Sequence, residues 1–121
     1  MTMNKVYCDN KPLTIDKVGN GSYLYHWGIE EVTDEEFKGY SCFEVTVWPP
    51  LTANKITEVV IAAMWDKNYE QKLLNEYNSA ILGLYDDETA TKKKQAYIDF
   101  LQARTDLKAQ VDSDCQNLGI G

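Results

Sequence analysis

Apolar residues recur with the period of a strand before Pro49-Pro50 and with the period of a helix after it. Residues 13–18 alternate apolar and polar, and residues 22–27 supply an aromatic-rich return strand. Between them Asn20-Gly21 predicts a hairpin turn, because both residues tolerate positive φ. A short strand is predicted over residues 5–8, ahead of an Asp9-Asn10-Lys11-Pro12 turn. Residues 40–48 carry the clearest alternation in the chain. Tyr40, Cys42, Glu44, Thr46 and Trp48 fall on one face, and Ser41, Phe43, Val45 and Val47 on the other. Phe43, Val45 and Val47 are expected to face the core. Thr33 followed three residues later by Glu36 has the spacing of a capping box and predicts one helical turn ending near Gly39.

After the prolines, Thr52 or Asn54 is placed to cap a helix running to Trp65. Residues 59–65 are apolar on every side, so this helix has to be covered nearly all round, as a core helix or in part as a subunit interface. Core is the preferred reading for a single domain. Asn68 and Gln71 have the spacing of an amide capping box and start a second helix with Tyr69, Leu73, Tyr77, Ala80, Ile81 and Leu84 on one side. Gly83 is the expected stop. Beyond Asp86-Asp87-Glu88, a third helix over about residues 91–116 carries Tyr97, Phe100, Leu101, Leu107, Val111 and Cys115 in one stripe, closed by Asn117 or Gly119.

That third helix is on the order of 39 Å long, whereas a compact chain of this size is about 35 Å across. Part of its stripe, including Leu107 and Val111, is therefore expected to lack cover within one chain and to serve self-association. Arg104 and Lys108 interrupt the stripe. An unpaired buried charge is too costly there, so Glu70 on the second helix is expected to pair with Arg104 or Lys108. The alternative lays both basic stems along the groove with their heads in water.

Composition narrows the function classes. With 121 residues the chain suits one domain, residues 1–121, with a β-rich part over 1–49 and a helical part over 50–121. An apolar fraction of 44% argues for a folded chain. A net charge of −7 argues against nucleic acid and anionic membrane as partners, and Lys92-Lys93-Lys94 sits beside acidic residues as a solvated helix face. Cys8, Cys42 and Cys115 are too irregularly spaced for a disulfide framework or a metal knuckle and predict reduced thiols in the cytosol. Neither a signal peptide nor a membrane span is expected.

Little in the chain suggests catalysis. His26 is the sole histidine, which excludes sites built on paired imidazoles. A nucleophilic couple of His26 with Cys8 or Cys42 has no support in the spacing. The carboxylates of residues 30–36 lack calcium-loop spacing, Asp112-Ser113-Asp114 lies on a helix, and no glycine-rich phosphate loop occurs. No cofactor is predicted. Aromatic residues offer the other candidate surface: Tyr23, Tyr25 and Trp27 share one strand face, and Tyr40 and Trp48 share another. Such rings suit carbohydrate or protein binding, unless helices cover them.

The run Gly39-Tyr40-Ser41-Cys42-Phe43-Glu44-Val45-Thr46-Val47-Trp48, followed by Pro49-Pro50 and the helix over 52–65, resembles small bacteriophage or prophage proteins of gut bacteria. Residues 69–78 and 97–101 continue the likeness. The resemblance implies a virion-associated or assembly role without catalysis in the bacterial host cytosol, and it transfers no functional residue. Sequence and resemblance together predict an α+β domain: a small antiparallel β-meander of three to four strands against three helices, the last two forming a long antiparallel αα-hairpin. Protein partners and a homo-oligomer are the expected mode of action. An aromatic-faced binding module is the alternative, and a small enzyme comes third.

Overall fold

The computed structural model describes residues 5–121. Its elements are β1 (Val6–Cys8), β2 (Ile15–Lys17), β3 (Tyr23–Thr33), β4 (Lys38–Val47), α1 (Ala53–Met64), α2 (Lys67–Ile81) and α3 (Asp87–Leu118). The four strands form one antiparallel sheet in the order β1-β4-β3-β2. Strands β2, β3 and β4 make the predicted meander, and β1 lies at the far edge beside β4. The fold is α+β, and α2 packs along α3 as a helical hairpin.

Local chemistry explains most of the turns. In the β2–β3 turn the positive φ values belong to Gly19 and Gly21, at 94° and 91°, where a side chain would be strained. Asn20 instead accepts from the Ser22 N–H through Oδ1 at 3.0 Å. The helical turn predicted from Thr33 and Glu36 is absent. Asp34 Oδ1 accepts from the N–H groups of Glu36 and Phe37, at 2.8 and 2.7 Å, and this local bonding makes a tight β3–β4 loop. Gly39 therefore lies inside β4, not at a helix end.

Each helix begins on a side-chain oxygen. Thr52 Oγ1 accepts from the Lys55 N–H at 3.1 Å. Asp66, not Asn68, caps α2, accepting from Tyr69 at 2.7 Å. Asp86 caps α3 by accepting from Thr89 at 2.7 Å, which moves the start of that helix into the predicted acidic loop. The Asp86 carboxyl is correspondingly held below its ordinary value by the bonds from Thr89. Gly119, at φ 70°, closes α3 in the left-handed conformation.

One buried cluster joins both halves of the chain: Tyr25, Trp27, Val45 and Val47 from the sheet, Ile56 and Val60 from α1, Val111 and Cys115 from α3. Register accounts for the sheet's share. Tyr25 stands opposite Val45 and Trp27 opposite Phe43, so these side chains share a face. Phe43 is half-buried against the cluster.

Two sequence expectations are corrected here. Helix α1 is not covered all round: Ile56 and Val60 are buried, but Ala62 and Ala63 are exposed. The C-terminal half of α3 is not uncovered, since Val111 and Cys115 are buried in the core and Leu107 packs against it. With 32 residues, α3 is about 48 Å long. It has two partners, α2 along the hairpin and the sheet with α1 at its C-terminal end, which is why its length leaves no bare stripe there.

Candidate functional site

The aromatic platform expected on β3 is the floor of the core. Tyr25 is fully buried and Trp27 nearly so, stacked with ring centroids 5.5 Å apart; Trp27 stacks in turn on Phe43. Tyr23 and Tyr40 are half-buried, and only Trp48 is exposed. The Tyr25 hydroxyl donates to Asp114 Oδ2 of α3, tying the sheet to the helix layer. Burial, reinforced by that carboxylate, raises the Tyr25 hydroxyl well above its ordinary value.

His26 projects from the opposite face of the sheet and is 4% exposed. Its Nδ1–H donates to the Leu13 carbonyl at 2.6 Å, and Nε2 lies 2.9 Å from Glu44 Oε2. Cys8, Asp16, Leu24 and the chain from Asp9 to Leu13 line a shallow depression around this pair. Both ring nitrogens of His26 are thus engaged by neighbouring groups. The arrangement holds the β1–β2 connection against the sheet.

On the helical side, Arg104 Nη1 lies 2.7 Å from Glu70 Oε1, with Arg104 over the Phe100 ring at 5.6 Å from its centroid. Lys108 is exposed and makes no ion pair among the described residues. Lys108 and Glu70 instead help line an open groove of about 740 Å³ between α1, α2 and α3. Val59, Ile61, Ala62 and Trp65 give the groove an apolar lining, and Lys55, Lys67 and Glu58 add charge around it. The groove exists because α1 turns one face to the core and leaves the next uncovered. The all-round apolarity of residues 59–65 was the sequence signal for it.

A second apolar surface lies at the tip of the α2–α3 hairpin. Ile81, Leu82 and Leu84 are 56%, 73% and 71% exposed. Ile81 and Leu84 were expected on the inner stripe of α2. That helix ends at Ile81, Leu82 is its cap, and Gly83 at φ 75° turns the chain, so the helical stripe stops before Leu84. Asp86, Asp87 and Glu88 follow at once.

Among the described residues no group of three or more His, Cys, Asp or Glu side chains is placed to hold a metal ion. No helix there is long and apolar enough to cross a membrane. Compared with known proteins, the chain matches no family model, no curated protein and no solved structure.

Proposed function

We propose that this protein is a non-catalytic assembly protein that acts by binding copies of itself, in the structural role its likeness to phage and prophage proteins implies. The observation that carries the reading is the pairing of two unlike surfaces on one chain. The hairpin tip offers Ile81, Leu82 and Leu84 beside Asp86, Asp87 and Glu88, the last of these paired with Lys92. The groove offers Val59, Ala62 and Trp65 beside Lys55, Lys67 and Lys108, none of which has an ion-pair partner among the described residues. Glu70 in the groove is occupied by Arg104, which leaves Glu58 as the one opposing charge.

Apolar tip meets apolar groove, and acidic flank meets basic rim. Within one molecule the two cannot meet, because Lys67 and Ile81 stand about 21 Å apart along α2. The contact is therefore head-to-tail, which generates a ring if the rotation closes and an open filament if it does not.

Sedimentation velocity over a concentration series tests the proposal. Wild-type protein should assemble, and added salt should weaken the assembly. Leu82→Ser with Leu84→Ser should remain monomeric while melting like wild type, since both side chains are exposed. Wild-type protein that stays monomeric at roughly 100 μM would limit the contact to less than about 5.5 kcal/mol and sink the proposal. Assembly undiminished by the double substitution would do the same.

A further inference from the structure

Cys8 and Cys42 are diagonal neighbours across the β1–β4 pair, and neither the fold nor the assembly surfaces use that juxtaposition. Val6 stands opposite Cys42 and Cys8 opposite Tyr40, so the two cysteines lie on the same sheet face, diagonally across the Tyr7–Ser41 pair. The Cys8 side chain is near enough to Cys42 to add to the rise that burial gives the Cys42 thiol. Cys42 has no exposed surface, whereas Cys8 is half-buried and lines the depression on that side of the sheet. We propose that Cys8 and Cys42 form a modification site at which a peroxide drives an intramolecular disulfide joining edge strand β1 to β4.

The difference in exposure fixes the order of events. The Cys8 thiolate attacks one oxygen of hydrogen peroxide; the O–O bond breaks, hydroxide leaves, and Cys8 becomes a sulfenic acid. Cys42 then attacks the Cys8 sulfur as its proton is lost, the S–O bond breaks, and hydroxide leaves. The two hydroxides take up the two thiol protons. Two thiols and one peroxide thus give one disulfide and two waters, a two-electron oxidation of sulfur matched by reduction of the peroxide. Burial pushes the Cys42 thiol up to about 11, with Cys8 and Glu44 adding to the effect, so Cys42 is not the sulfur a dissolved oxidant meets first.

Diagonal neighbours in a sheet have Cα atoms about 7–8 Å apart, beyond the ~6.8 Å upper limit of disulfide geometry. Closure therefore takes a small shift of β1, which has three residues and is paired on one side only. A bond made at the expense of that shift is readily reduced again.

The test exposes the folded protein to a small excess of hydrogen peroxide, then counts thiols after unfolding and measures intact mass. The three thiols should fall to one with a mass loss of two hydrogens, peptide mapping should join Cys8 to Cys42, and dithiothreitol should restore all three. Cys8→Ser should keep its fold by circular dichroism, lose the cross-link and retain both remaining thiols. The proposal is overturned by oxygen added at Cys8 without a cross-link, by a bond to Cys115 or between chains, or by an unchanged thiol count.

Discussion

Truncating Val111 to alanine should destabilise the fold by about 1–2.3 kcal/mol, and the terms can be worked from its position. Val111 has no exposed surface and belongs to the buried cluster with Tyr25, Val47, Ile56 and Val60. Two carbons leave the core, a loss of about 1.6 kcal/mol at roughly 0.8 per carbon. If the walls do not close, a void on the order of 50 Å³ adds about 1.2 kcal/mol. Alanine's better helix propensity offsets about 0.5 kcal/mol of this. The sheet and α1 both border the site, so collapse is resisted and the upper end of the range is expected. With a urea m-value of roughly 1.5 kcal/mol per M, the midpoint should fall by about 0.7–1.5 M. The assay belongs at low protein concentration, where assembly does not add to apparent stability. A side chain facing solvent would change stability by no more than about 0.5 kcal/mol. A midpoint shift below ~0.3 M at that m-value would therefore refute the placement of Val111 in the core.

Three further outcomes follow from the packing. Burial raises Cys42 to about 11 and also raises Tyr25 and Cys115. A group whose folded value lies above its unfolded one contributes stability that is intact below the unfolded value and lost as pH climbs toward the folded one. The urea midpoint should therefore decline from about pH 9, the ordinary thiol value, toward pH 11; a flat profile across that window contradicts the buried thiols. Gly39→Ala should destabilise by about 1–3 kcal/mol, since its Cβ would collide with the Cys8 carbonyl and the Phe37 ring; hydrogen exchange should then show β1 loosened, and unchanged β1 protection would count against the packing. The Glu70–Arg104 pair, with side chains 42% and 37% exposed, should give a double-mutant coupling of only about 0.2–1 kcal/mol that fades with salt. A coupling above ~2 kcal/mol would mean the pair is far better shielded than its exposure allows.

The elements with strong periodicity were legible in the sequence, and their ends were less so. Phe43, Val45 and Val47 declared the core side of β4 through alternation alone, and Thr52 marked the start of α1. Asp66 and Asp86 are hard to read as caps from sequence, because Asn68 and Gln71 offer a competing box and Asp86 sits in an acidic run resembling a loop. Thr33 and Glu36 had the right spacing for a cap, but no amphipathic helix followed, and Asp34 satisfied the local N–H groups first. Leu107 and Val111 depart from expectation for a tertiary reason: periodicity identifies an apolar stripe but not which neighbour covers it. The groove had a trace in the unbroken apolar run over 59–65. The tip had none, because the exposure of Leu82 and Leu84 depends on where α2 stops.

Head-to-tail assembly requires the hairpin tip of one copy to enter the α1–α2–α3 groove of the next. Complementation tests it most directly. One variant carries Leu82→Ser and Leu84→Ser, with its groove intact. The other carries Ala62→Glu, which places bulk and negative charge in the groove at an exposed position and leaves the tip intact. Each alone should sediment as a monomer, and an equimolar mixture should form a one-to-one heterodimer in which the intact tip occupies the intact groove. A mixture that remains monomeric under conditions where wild-type protein assembles contradicts the claim.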